Sequence, residues 1–278
     1  MPEGLSTRNV RKRVVTECQP RGNPKTVNIL AISNHKGGTA KTTAAAALAV
    51  LLSRAGVRVH LVDMDPQASL TTAFGLSDPK GLLYQAMCRR GPLPVAMLSD
   101  TLSISPCSID LARGERQFIA EAGREYLLQS CLDKTDLGEA TTVILDCPPS
   151  LGVLSIGCLT TARYACVVVQ PGGFEVRTLV HLDETVRMLN ERVNPELSVI
   201  GAVLTNCHPR RAITEEVCRE VSRRWPVLGQ VRADARLLYA TTAGKVHFLK
   251  RSKALEDYAA VVKRLGNVVP WLRNRSAA

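Results

Sequence analysis

Two lysines five residues apart, a glycine pair between them and two threonines after them make Asn34–Thr43, NHKGGTAKTT, the stretch richest in usable chemistry. Glycine-rich backbone lets several N–H donors converge on a phosphate without interference from Cβ atoms. A lysine ammonium neutralises β- and γ-phosphate charge, and a hydroxyl directly after it suits Mg2+. Lys41 and Thr42 match those two roles, with Gly37, Gly38, Thr39, Ala40 and Thr43 completing the cradle. The common G-x-x-x-x-G-K-[ST] spacing is not met, because His35 and Ala40 stand at its two glycine positions. The pattern present is K-G-G-x-x-K-[ST]-[ST], in which Lys36 is an added lysine. Alanine at position 40 costs on the order of 1 kcal/mol if its φ is positive.

Transfer of a phosphoryl group to water needs a metal on the β- and γ-oxygens and a group that holds the water in line. Asp146 stands at the end of an apolar run in TTVILDCPPS. Asp63 and Asp65 close another in VRVHLVDMD, where Asp63 is expected to support the loop and Gln67 to approach the nucleotide. Capping of a helix N-terminus is the structural alternative for such aspartates.

These groups require a scaffold that delivers several strand ends to one edge. Apolar runs at 26–33, 57–65, 102–106, 141–150, 164–171 and 197–206 read as strands. Helices are expected over 41–55, closed by Gly56, and over 110–132, 175–193, 212–224 and 252–266. Strands alternating with helices at this spacing predict an α/β fold: a doubly wound, mostly parallel sheet with helices on both faces. No internal repeat or low-complexity segment is present. Residues 1–25 read as a flexible basic tail and 26–278 as one domain.

Composition narrows the class. Aromatic residues make up 4% of the 278, so the core must rest on Val, Leu, Ile and Ala. No apolar run reaches the ~18 residues of a membrane span, and no apolar stretch follows the basic N-terminus as a secretory signal would require. Nine scattered cysteines without a C-x-x-C pair suggest reduced, buried thiols and a cytoplasmic protein. The net charge is +11, and residues 205–278 hold fifteen Lys and Arg against six Asp and Glu. Such asymmetry points to a polyanionic partner, nucleic acid or an acidic membrane surface.

Four segments in order, NHKGGTAKTT, HLVDMDPQASLT, VILDCPPSLG and RLLYATTAGK, resemble the ParA/Soj partition ATPases within the MinD/ParA class, whose phosphate loop is the deviant Walker A form. The resemblance runs from about Val27 to Val262. It implies a P-loop fold and a homodimer that sandwiches two ATP molecules with Mg2+. Lys41 then serves its own ATP and Lys36 its neighbour's. By the same resemblance Asp146 is the Walker B aspartate acting on Mg2+ with Thr42, Asp65 orients the attacking water, and Asn206 joins the nucleotide set. Arg210, Arg236 and Lys245 match positions that hold double-stranded DNA without sequence preference. A ParB-like or cargo-adaptor protein that stimulates slow hydrolysis is implied, as is association with the nucleoid to segregate a plasmid, a chromosome origin or a large assembly. A tail of 25 residues is shorter than the operator-binding domain of larger relatives, so site-specific repression is not expected. QPGGFEVRTL at 170–179 departs from the family, where a tyrosine-bearing segment is usual. A MinD-like membrane-cycling ATPase is the alternative. It requires a C-terminal amphipathic helix, which YAAVVKRLGNVVPWLRNR suggests with Trp271, but Gly266 and Pro270 are expected to interrupt it. Two further readings are a reductase with cluster-binding Cys147 and Cys158, and a scaffold that no longer hydrolyses ATP.

Overall fold

In the computed structural model the described residues are 27–138, 140, 142–172, 175–208 and 212–269, with side chains for all of these except 175–178. The basic segment 1–25, Arg210, Pro270 and Trp271 lie outside them.

The chain runs β1 (Asn28–Ser33), α1 (Lys41–Arg54), β2 (Val59–Asp63), α2 (Ser69–Ala73), α3 (Leu82–Arg89), β3 (Ala96–Ser99) and β4 (Leu102–Ser105). It continues through α4 (Leu111–Phe118), α5 (Leu127–Leu132), β5 (Thr142–Asp146), α6 (Val153–Thr161), β6 (Tyr164–Val169) and α7 (Glu175–Arg192). The last elements are β7 (Ser198–Cys207), α8 (Ala212–Ser222), β8 (Val227–Arg232), α9 (Ala235–Thr242) and α10 (Lys253–Val268). Among the described residues these strands form one sheet in the order β3-β4-β2-β5-β1-β6-β7-β8. Every pairing is parallel except β3 with β4.

Strand periodicity divides the apolar side chains between two cores. Leu30 and Ile32 of β1, Ile144 of β5 and Val168 of β6 face the side covered by α1 and α10. Ala31, Val143, Leu145 and Val167 face the side covered by α4 to α7. Because alternate residues point to opposite faces, strands buried on both sides are apolar throughout, as these are. Helix α1 is buried nearly all round from Ala44 to Val50, and its alanines let it sit between the sheet and α10. It ends where Gly56 takes φ +77°, in agreement with the expected glycine stop.

The strand order places the chemistry. The chain crosses from β5 to β6 on opposite sides of β1, so a crevice opens at the carboxyl ends of the central strands. Register sets Asp146 beside Asp63 on one flank and Ile32 on the other.

Several expectations change. The helix expected over 110–132 is α4, a short 3-10 turn at Arg124–Tyr126 and α5; left-handed Gly123, φ +65°, interrupts it. Strand β8 joins the sheet although VLGQVR has a glycine inside: a Cβ at Gly229 would lie 2.6 Å from Val261 Cγ2, so α10 needs that gap. Gly266 does not interrupt the last helix: it is buried on the inward face, and α10 continues to Val268. Tyr258, Val261, Val262 and Leu265 of α10 are buried in the core, which uses its apolar stripe for packing. Among the described residues no helix is long and apolar enough to cross a membrane.

Candidate active site

The loop after β1 is pinned at both ends. Buried Asn34 donates from Nδ2 to the Val168 carbonyl at 2.6 Å, and its Oδ1 accepts the Lys36 N–H at 3.1 Å. The Thr205 hydroxyl of β7 donates to the Thr39 carbonyl at 2.7 Å. Lys41 Nζ lies 3.2 Å from the Lys36 carbonyl, to which it donates. Gly38 has φ +74°. Ala40, the residue before α1, has φ 64° and ψ 32°, so the conformation glycine favours is held here by alanine at a cost of about 1 kcal/mol.

Asp146 is completely buried, and neither carboxylate oxygen makes a hydrogen bond of acceptable geometry among the described residues. Burial, then the neighbouring Asp63, push its pKa well above the usual carboxylate range; the Thr42 hydroxyl and Lys41 ammonium work against that shift. A buried carboxylate with two orphan oxygens is costly unless a cation joins it. Thr42 and Asp146 supply the hard oxygen donors that Mg2+ prefers, so the residues present fit this ion. Lys41 is displaced the other way, its pKa lowered by burial while Asp146, Cys147 and Asp65 oppose the change.

Asp63 supports the loop as expected. It accepts from the Thr71 N–H at 2.8 Å, the Thr71 hydroxyl at 2.7 Å and the Asp65 N–H at 3.3 Å. Burial pushes its pKa up to about 6 in spite of those bonds. Asp65 Oδ1 accepts the Gln67 N–H at 2.9 Å. Neither Asp65 nor Asp146 caps a helix: the residues before α2 and α6 are Ala68 and Gly152.

An open depression of about 470 Å3 is lined by residues 37–43, Asp65 and Gln67. Its far wall, which the sequence did not reveal, is α9, through Leu238, Thr241 and Thr242. They lie in RLLYATTAGK, a segment of the family resemblance from which only Arg236 and Lys245 are read as contacts; the packing of α9 against α2 brings them to the depression. Lys36 is at the start of the loop and does not line the depression. Asn206 does not line it either: it takes φ +50° at the end of β7 and donates from Nδ2 to Gln170 Oε1 at 3.0 Å. Arg236 and Lys245 are exposed and together flank a separate groove. Arg210, the third expected DNA contact, lies outside the described residues.

Residues 27–199 match the family model described as an AAA domain. The chromosome partitioning protein ParA of Caulobacter vibrioides is 33% identical over 201 residues, covering 70% of this chain and 75% of its own. The sporulation initiation inhibitor protein Soj of Bacillus subtilis is 32% identical over 247 residues, or 85% and 97% of the two chains. This chain belongs to the ParA/Soj family of partition ATPases. The doubly wound fold is that of the P-loop NTPases. A solved structure of cobyrinic acid a,c-diamide synthase from Mycobacterium smegmatis, with bound ATP analog and magnesium, is 29% identical. It superposes with a TM-score of 0.74, covering 90% of this chain and 98% of that one. Within the atypical segment 170–179, Gly173 and Phe174 lie outside the described residues, as do the side chains of 175–178.

Proposed function

We propose that this protein is a Mg2+-dependent ATPase that pairs with a second copy of itself in the ATP state, grips DNA without sequence preference and releases it after hydrolysis. The observation that carries this reading is the convergence of Lys41, Thr42 and Asp65 on one depression, with the buried orphan carboxylate of Asp146 close to all three but not among the residues that line it.

Lys41 holds the β- and γ-phosphates, and the loop N–H groups of 37–43 receive their oxygens. Asp146 and Thr42 would hold Mg2+, which would neutralise charge on the phosphate oxygens. Asp65, on the rim of the same depression, accepts a hydrogen bond from the attacking water and aligns it with the γ-phosphorus. Hydrolysis is slow until a ParB-like or cargo-adaptor protein completes the arrangement. Lys36, absent from the walls of its own depression, reaches the phosphates of the second subunit, so pairing depends on the γ-phosphate. Asn206 approaches the nucleotide from the end of β7.

Arg236 and Lys245, with Arg210, meet DNA phosphates; their exposure and the charge of the C-terminal third support this mode. The protein is accordingly cytoplasmic and nucleoid-associated, where the cycle moves or spaces a plasmid, an origin or a protein assembly. Asp65→Ala tests the assignment: it is expected to bind ATP, fail to turn it over and remain on DNA. Parent-level turnover by that variant contradicts the assignment of the water-orienting group.

A further inference from the structure

The loop that follows β2 brings Asp65 and Gln67 to the nucleotide depression, and α2, which contributes Ser69 and Thr72 to its lining, leads out of it. The turn after α2 meets the turn after α9 backbone to backbone. Gly75 has φ +72° and Gly244 φ +70°. A Cβ on Gly244 would lie 2.8 Å from Gly75 Cα and 3.1 Å from the Thr72 carbonyl oxygen. A Cβ on Gly75 would lie 3.0 Å from the Gly244 carbonyl oxygen. Both the handedness and the space therefore require glycine on each side of this crossing.

A second connection runs beside the first. Phe74, at the C-terminus of α2, stacks on His247 with centroids 5.8 Å apart and an interplanar angle of 23°. His247 packs in turn on Phe248 at 3.9 Å. Phe248 is 66% exposed and Tyr239 68% exposed, and both line a groove of about 440 Å3 that Arg236 and Lys245 flank. Helix α9 looks both ways: Leu238, Thr241 and Thr242 line the nucleotide depression, while Arg236 and Tyr239 line the groove.

We propose that α2, α9 and the 244–248 turn act as a relay, so that the occupant of the γ-phosphate end of the depression sets the geometry of the Arg236–Lys245 groove. This rests on reading the depression as an ATP site and the groove as a DNA surface. Close-packed elements pass on small displacements instead of absorbing them. A backbone crossing with no room for a methyl group leaves α2 and the 244 turn little freedom to slide independently. A nucleotide that favours one arrangement of residues 65–72 then favours one arrangement of the groove.

Hydrogen exchange over 235–248, measured with and without a non-hydrolysable ATP analogue and Mg2+, tests the relay on the full chain. The parent is expected to change exchange in this segment at least about fivefold on binding the analogue. His247→Ala should bind the analogue within about twofold of the parent while that response falls below about twofold. Phe74→Leu, which keeps an apolar side chain in the α2 end of the stack, provides the same reading should His247→Ala fail to fold. A parent segment indifferent to nucleotide overturns the relay, as does a parent-sized response in both folded variants. DNA retention read in the same samples separates the two ideas. A full exchange response without DNA retention in any nucleotide state supports the relay and removes the DNA surface.

Discussion

Replacing Ala40 with glycine separates a left-handed backbone from a helical one by the sign of the stability change. With φ 64° and ψ 32°, alanine here carries the left-handed penalty of roughly 1–2 kcal/mol. Glycine relieves it but adds roughly 0.4–1 kcal/mol of chain entropy to the unfolded state. The net expectation for Ala40→Gly is a gain of about 0.5 kcal/mol, or a rise in Tm of about 1–2 °C. Were residue 40 in the right-handed helix, the same change would lose about 1 kcal/mol. Ala40→Val provides the scale, because a β-branched side chain at positive φ costs a further 1–2 kcal/mol or so. Urea denaturation of the three proteins without nucleotide, with equal m-values, reads the order directly. The strain is present before any ligand arrives, so analogue affinity should differ by less than about twofold between Ala40→Gly and the parent. A clear loss of stability in Ala40→Gly refutes the left-handed assignment and the account of how this loop tolerates alanine.

Other tests reach the scaffold around the crevice. His60 is fully buried between the Ser103 and Ser105 hydroxyls at 2.9 Å each, and burial lowers its pKa to about 3. The unfolded chain therefore takes up a proton that the folded one refuses, and stability is lost as pH falls below 6.5. About 2.5 kcal/mol should disappear between pH 7 and 4.5 relative to His60→Gln, and a flat difference contradicts the buried neutral imidazole. Thr205→Val removes the tether to the Thr39 carbonyl; it should cost about 1 kcal/mol and weaken analogue binding about fivefold by calorimetry. Asp234 accepts the N–H groups of Arg236, Leu237 and Ala254. Asp234→Ala should lower stability by about 1–2 kcal/mol in denaturant titration, and an unchanged midpoint would show that α9 does not depend on this cap.

What the sequence disclosed and what it withheld follow from how each feature is encoded. The loop between β1 and α1 was legible because glycines and lysines at fixed spacing have few other uses after an apolar strand. Asp63 and Asp146 were legible for a related reason: a carboxylate ending a buried run needs a partner. Helix α9 as a wall of the depression was not legible: RLLYATTAGK carries the family resemblance, but only Arg236 and Lys245 are read from it, and Leu238, Thr241 and Thr242 reach the crevice through packing on α2. Strand β8 was hidden by Gly229, whose missing side chain is the space Val261 fills. Gly266 misled in the opposite sense, because a glycine facing the core can sit inside a helix that tertiary packing holds. The aromatic chain from Phe74 to Phe248 joins residues far apart in sequence, and local periodicity has no means of announcing it.

The decisive measurement is the mass in solution of the parent and of Lys36→Gln, by sedimentation velocity with a non-hydrolysable ATP analogue and Mg2+. The parent should pass from monomer to dimer as analogue is added, while the variant, still binding analogue, stays monomeric. A Lys36→Gln protein that dimerises at the parent's concentrations contradicts the cross-subunit lysine, and with it the link from nucleotide to pairing.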